Sequence, residues 1–394
     1  MTRRQVGISG VGTSDFGRFP DERVESLAWA AATEAMDDAG LSPGDIDAAF
    51  VGSVFGAPGV ANRVLAGVGL AGVPTFRIEA ACASGTVALH EAYTSVAAGR
   101  YERVLAVGVE QLSTQFAGPI VPEATDPEGR AGLALPALYA LQANRYLGTW
   151  GIEPEMLAHV AVKNKANGAL NPRAHLSGRP PTLGEVLDSR PIAGPLTLLQ
   201  CCPMSDGAAA AVVAPLEGAR DVEILSSAFV SGVLWNSSTT EPWGLGSVRA
   251  AAQQAFAAAG LTPQDVHVLE VHDAFTIGEI LTLEAIGLCA PGDATTLAAS
   301  GHTSLEGLQP VNPSGGLLSR GHPLGATGLA QTAELVWQLR GVAGPRQVEG
   351  AHIGLLETMG GGAAGVDGNA CVVALLRGPT PAPGTTAAHR EEPA

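Results

Sequence analysis

The sequence predicts an α/β protein made of two similar halves, and three internal correspondences predict it. Ala31 to Ile46 recurs 220 residues later as Ala251 to Val266, with the same succession of alanine-rich stretch, glycine (Gly40, Gly260), Ser/Thr-Pro pair and β-branched run. Cys82-Ala83-Ser84-Gly85-Thr86 and His322-Pro323-Leu324-Gly325-Ala326 stand 240 residues apart, each ahead of an apolar stretch. Ala211 to Gly218 resembles Cys371 to Gly378.

The elements follow in order. An alanine-rich segment stopped by glycine and then Ser/Thr-Pro is a helix with its C-terminal cap, and the β-branched run after it is a strand. The apolar segments Val87 to Ala98 and Gly328 to Leu339 are helices that start beside Cys82 and His322. Ala211 to Gly218 and Cys371 to Gly378 are the closing strands of their halves. An approximate two-fold axis between the halves puts Cys82 and His322 at equivalent places, where they can face each other. A spacing this long duplicates a whole domain and does not make a solenoid. The expected boundaries are 1–220 and 221–378 for the halves and 379–394 for a disordered tail. Residues 115–199 have no counterpart, are rich in Pro, Gly and Asn, hold the two lysines Lys163 and Lys165, and read as an inserted lid or substrate loop domain.

Composition narrows the function. With 394 residues, 46% hydrophobic and 15% charged, most of the chain has to be buried. A net charge of −16 without a basic run excludes nucleic acid and anionic membrane surfaces as partners. Five cysteines, odd in number and without a C-x-x-C pair, suggest neither a disulfide framework nor a zinc site, and fit a reducing cytoplasm. The apolar run Val6 to Val11 is too short for a signal peptide, and no stretch approaches the ~18 apolar residues of a membrane span.

Chemistry concentrates in four places. Cys82 precedes a helix, where unpaired amides and the positive dipole end favour thiolate. In Asn312-Pro313-Ser314-Gly315-Gly316-Leu317-Leu318-Ser319-Arg320-Gly321-His322-Pro323-Leu324-Gly325, tight turns present one imidazole at a second helix start, able to activate a thiol or bind an oxyanion. His272 ends the strand after the repeated helix, within Val271-His272-Asp273-Ala274-Phe275. Glu357 to Gly365 reads as a glycine turn whose amides can approach a ligand closely. No metal site is expected.

Cys82 in Ala-Cys-Ala-Ser-Gly, His272 in His-Asp-Ala-Phe, His322 in Gly-His-Pro-Leu-Gly-Ala-Thr-Gly and the terminal glycine loop, in this order, resemble the thiolase superfamily over about Val6 to Gly378. Val162 to Asn167 with Asn171-Pro172 is similar to the insertion of its sterol-carrier-type and archaeal acetoacetyl-CoA branch. The resemblance implies a thiolase fold, with duplicated β-α-β halves in a five-layer αβαβα arrangement and an inserted loop domain. It implies that Cys82 carries the acyl group as a thioester, that His322 activates it, and that His272 completes the second oxyanion site directly or through water. The backbone amides of Cys82 and Gly360 would bind the acyl-enzyme oxygen, with Asn312, Gly315 and Gly325 in support. Thiolases also place a second cysteine either in the C-terminal loop, where Thr358 stands here, or in His-Asp-Cys-Phe, where Ala274 stands. Acyl transfer is thereby expected intact, while Cα proton transfer needs another group.

The expected function is that of an acyl-CoA acyltransferase of lipid metabolism, cleaving or forming 3-ketoacyl-CoA, with coenzyme A and acyl-CoA as substrates and no permanently bound cofactor. Two alternatives stay open: a C-acyltransferase or retro-aldolase of the same fold, and a non-catalytic scaffold that binds acyl-CoA. Expected partners are a second copy or three further copies of the chain, joined by edge strands of the N-terminal half, and an OB-fold, zinc-ribbon accessory protein of the kind such thiolases often carry.

Overall fold

The repeated helices form as their sequences require. Val24–Ala39 and Leu245–Ala259 both stop on a left-handed glycine, Gly40 at φ 67° and Gly260 at φ 68°. In each copy the hydroxyl residue that follows, Ser42 or Thr262, forms a reciprocal capping box with Asp45 or Asp265. The chain then enters a buried strand. This computed structural model describes residues 4–235, 241–361 and 365–379; the tail expected beyond Pro379 lies outside them.

Eleven strands are described: β1 (Val6–Thr13), β2 (Ala48–Gly52), β3 (Thr75–Ile78), β4 (Val104–Gln111), the short pair β5 (Pro191–Ala193) and β6 (Leu196–Thr197), then β7 (Asp206–Pro215), β8 (Val222–Val230), β9 (Val268–Glu270), β10 (Ile353–Gly360) and β11 (Ala370–Arg377). The first half is ordered β3-β2-β4-β7-β1 and the second β8-β11-β10-β9. Pair directions repeat: β2 is parallel to β4 as β9 is to β10, and β4-β7-β1 is antiparallel as β10-β11-β8 is. The place of β3 is taken in the second half by Val311, bridged in parallel to Leu269. Among the described residues the two sheets join edge to edge through Gly7 with Glu223 and Ile8 with Val222.

Helices complete five layers. Val24–Ala39 and Val60–Gly67 cover the outer face of the first sheet, and Leu245–Ala259 that of the second. Between the sheets lie Ser84–Ala97 and Thr327–Leu339, packed among Leu89, Val96, Leu329, Leu335, Leu356 and Leu376. Every residue of Thr327–Leu339 except Trp337 is buried, as a helix walled by protein on all sides requires. Truncating Leu329 to alanine here would cost about 2–5 kcal/mol.

The insertion contributes Leu135–Trp150 and Ala158–Ala169. Its two lysines are buried. Lys163 is ion-paired with Glu279 Oε1 (3.0 Å) and donates to Asn164 Oδ1 (2.6 Å) and the Val311 carbonyl (2.8 Å), while Lys165 donates to the Leu318 carbonyl (2.8 Å). Both pin the insertion to the segment leading to His322. Among the described residues no helix is long and apolar enough to cross a membrane.

Candidate active site

Cys82 sits on a strained turn. After β3 the backbone passes through Ala81 at φ 48°, a left-handed conformation that costs a residue with a Cβ of order 1–3 kcal/mol. Three hydrogen bonds hold it: the Ala81 amide donates to Glu79 Oε1 (2.7 Å), the Ala80 amide to Ser84 Oγ (2.9 Å), and the Ser84 hydroxyl to the Ala81 carbonyl (2.6 Å). Ser84 opens the central helix, so Cys82 stands two residues ahead of its N-terminus.

The other half repeats the device. Asn312 (φ 56°) follows the Val311 bridge, and it and Ala81 are the two non-glycine residues with positive φ among the described residues. Asn312 Oδ1 accepts from the Val271 amide (2.9 Å) and its Nδ2 donates to Glu279 Oε2 (2.9 Å), which ties the segment carrying His272, two residues beyond the end of β9 at Glu270 and not on the strand as expected, to the segment that carries His322. Gly315, at φ 96°, lies against the backbone of Gly168 in the insertion. Gly325 is fixed by close approach: a Cβ there would come within 2.7 Å of the Gly52 and Val109 carbonyls. Its amide donates to Glu110 Oε2 (3.1 Å), and the same carboxyl accepts from Val54 (2.8 Å) and Phe55 (3.0 Å).

These turns bring Cys82, His272 and His322 together, with one ligating atom from each within 4.8 Å of the others. The two imidazoles meet edge to face, ring centroids 5.0 Å apart at 82°. His322 Nδ1 lies 2.7 Å from Thr327 Oγ1, and that hydroxyl is 3.0 Å from the Pro323 carbonyl. A hydroxyl has one hydrogen; given to the carbonyl, it leaves Thr327 to accept from Nδ1–H, so that Nε2 is the bare nitrogen available to Cys82.

Burial keeps the trio uncharged at rest. It pushes the Cys82 thiol up to about 12, although the amides of Gly361 and of Cys82 itself are placed to hydrogen-bond the sulfur. His272 is lowered to about 3 by burial and then by the Arg320 cation, and His322 falls well below 6.5 through burial, His272 and Arg320. The trio is also the one group of three or more His, Cys, Asp or Glu side chains among the described residues close enough to hold a metal ion. A nucleophile and its base need the same proximity.

Two expected positions differ. The amide facing the Cys82 sulfur belongs to Gly361 and not to Gly360, because β10 runs on to Gly360, which pairs with Ala370. Thr358 therefore stands inside the sheet, opposite Val372, and its hydroxyl donates to Gln331 Oε1 (2.6 Å) on the central helix. Sequence reasoning missed Thr327, Glu110, Arg320, Glu357 and Tyr139. Arg320 is a buried cation 3.3 Å from Glu270, and Glu357, raised to about 7 by burial, accepts from the His272 amide (2.9 Å).

Two sheets of the same order about paired central helices, with a cysteine and a histidine at equivalent helix starts, define a duplicated acyl-transfer fold. The chain belongs to the thiolase family and is an acyltransferase of that type: the thiolase N-terminal domain family matches residues 8–177 and the thiolase C-terminal domain-like family residues 234–367. It is 40% identical to the acetyl-CoA acetyltransferase of Methanothermobacter thermautotrophicus over 91% of this chain and 97% of that one, and 37% identical to sterol carrier protein 2 of Gallus gallus over 92% and 71%. The structure of the Ltp2-ChsH2(DUF35) aldolase superposes with a TM-score of 0.84 at 27% identity, covering 96% of this chain and 99% of that one. Human mitochondrial 3-ketoacyl-CoA thiolase shares the fold, at a TM-score of 0.72 and 19% identity over 96% of this chain and 99% of that one.

Proposed function

We propose that the protein passes acyl groups between CoA thioesters through an acyl-Cys82 intermediate, and thereby cleaves or forms 3-ketoacyl-CoA. The approach of Cys82 to His322, with Nε2 left bare by Thr327, carries this reading. As the Cys82 sulfur adds to a substrate carbonyl, its proton moves to His322 Nε2, so the neutral pair separates charge only along the reaction path. The amides of Cys82 and Gly361 receive the developing oxyanion, each such donor being worth about 3–4 kcal/mol of barrier. His272 faces the same point from the second half and would hold the carbonyl oxygen of the second thioester.

The CoA portion is assigned to a cavity of about 480 Å³ walled by the insertion, where Lys165 and Arg179 supply positive charge to a chain of net charge −16. A dimer through β3 is proposed from its position at the sheet edge and the half-exposed Phe76, and sedimentation at 39.8 kDa would count against it. An OB-fold, zinc-ribbon partner belongs to the same proposal, supported by the likeness to the Ltp2-ChsH2(DUF35) aldolase. A cytoplasmic site of action is proposed on the free cysteines.

Mass spectrometry after incubation with acetyl-CoA tests the central reading. Acylation is expected on Cys82 and to vanish in Cys82→Ala. Equal labelling of Cys201, Cys202 or Cys371 would sink it. A retro-aldol cleavage of an acyl-CoA is the second reading, favoured by the alanine at 274 and by the turning of the Thr358 hydroxyl toward Gln331. Release of an aldehyde or ketone together with an acyl-CoA, without acyl-Cys82, would select it.

A further inference from the structure

Breaking the Cα–Cβ bond of a 3-ketoacyl-CoA leaves an enolate that must be protonated at Cα. Neither Ala274 nor Thr358 can supply that proton: the first has none, and the second has given its hydrogen to Gln331. Tyr139 is placed to do so. The insertion helix Leu135–Trp150 lays its ring on Phe275, centroids 4.4 Å apart at 29°, one residue beyond Ala274. The side chain is 6% exposed, and among the described residues its hydroxyl takes no hydrogen-bond partner. Its oxygen is not among the unpaired side-chain atoms sealed from solvent, so it keeps the residue's small exposure and an incoming group can reach it. Tyr139 and His272 line one cavity of about 20 Å³ with Met359, which has room for about one water-sized group. His272 Nδ1, by contrast, is fully buried without a partner.

We propose that Tyr139 is the acid that protonates the departing enolate, in the role the resemblance gives to a second cysteine. The proposal rests on the acyl-transfer reading of Cys82. In cleavage the Cys82 sulfur adds to the ketone carbon and its proton passes to His322. The Cα–Cβ bond breaks with its electron pair left on Cα, the Tyr139 O–H bond breaks, and its proton joins Cα, leaving phenolate and a shortened acyl-CoA. Coenzyme A then gives its thiol proton to the phenolate as its sulfur attacks the Cys82 thioester. His322 returns its proton to Cys82. Burial, the largest cause, holds the phenol well above 10, so the group at rest is a proton donor.

Acetyl-CoA can acetylate Cys82 without any carbon–carbon cleavage, whereas acetoacetyl-CoA leaves an acetyl group on it only by cleavage, simple thioester exchange leaving the four-carbon acyl group of different mass. Single-turnover labelling of Cys82 by each, in wild type, Tyr139→Phe and Cys202→Ala, separates the steps. The Cys202 amide lies 2.9 Å from the Ala274 carbonyl, which makes its thiol the rival proton donor. Tyr139→Phe keeps the ring on Phe275, and is expected to slow labelling by acetoacetyl-CoA about 10²–10⁴-fold and by acetyl-CoA less than tenfold. Cys202→Ala should stay close to wild type with both. Equal losses with both substrates in Tyr139→Phe, no loss with acetoacetyl-CoA, or a 10²-fold loss confined to Cys202→Ala would overturn the assignment, as would a wild type labelled by acetyl-CoA alone. A wild type labelled by neither overturns the acyl-transfer reading itself.

Discussion

The Thr327 hydroxyl, five residues beyond His322, receives that histidine's Nδ1 at 2.7 Å while spending its own hydrogen on the Pro323 carbonyl. One side chain thus decides which imidazole nitrogen can accept a proton. Thr327→Val should lower the rate of Cys82 acylation at least about tenfold, since the orienting partner of a catalytic imidazole is worth up to about 10⁴-fold in serine hydrolases. Thr327→Ser should retain most of the rate. Equal losses in both would mean that the methyl group and its packing matter, and not the hydrogen bond.

The pH profile follows from burial. A histidine of ordinary pKa would lose its base form, and about tenfold in rate, with each pH unit below 6.5. His322 is held well below that value, so it stays neutral and competent as pH falls, and Cys82, near 12, stays a thiol as pH rises. Acylation by acetyl-CoA should therefore vary little between pH 5.5 and 8.5. Stopped-flow rates that drop tenfold between pH 6.5 and 5.5 would contradict it.

Glu110 links stability to pH. Burial raises its carboxyl to about 7, against an unfolded value near 4.5. Its contribution is therefore fully present below pH 4.5 and is lost as pH rises through 7, because the native state must then hold a buried charge. Measured against Glu110→Gln, the wild type should lose roughly 3 kcal/mol between pH 5 and 8. Urea unfolding of both proteins at the two pH values reads this difference, and parallel curves would place the titration elsewhere.

Thr358→Cys separates the sequence pattern from the strand geometry. The position matches a thiolase cysteine, yet its side chain leaves β10 toward Gln331. A thiol there should face the same glutamine, so the variant should cleave acetoacetyl-CoA no faster than wild type. A gain of tenfold or more would show that the strand end can re-form around the new side chain.

The contrast between Cys82 and Thr358 shows where sequence reasoning reaches and stops. The duplication placed Cys82 and His322 as symmetry mates, and the helices, capping glycines and closing strands all formed near their expected positions. Those features are local, written in periodicity and turn residues. Thr358 was read as part of a glycine turn because nothing in Glu357-Thr358-Met359-Gly360 shows that hydrogen bonding to β11 continues to Gly360. Lys163 and Lys165 were read only as part of an inserted lid or substrate loop, whereas their anchoring to Val311 and Leu318 is visible only in three dimensions. Thr327, Glu110 and Tyr139 were missed for a related reason. Each acts through a contact with a segment far away in the chain or through one hydrogen whose direction no motif records.

Gly325 stands in the second half, and its nearest obstacles, the carbonyls of Gly52 and Val109, belong to the first. The proposed reacting centre is in this sense the seam of an internal dimer, with its proposed nucleophile on one copy and its proposed base on the other. Neither copy could lose contact with its twin and keep half of the activity. A lesion anywhere along that seam should therefore silence the enzyme outright, even with all three reacting side chains intact, and the two halves are bound to change in step as the sequence diverges.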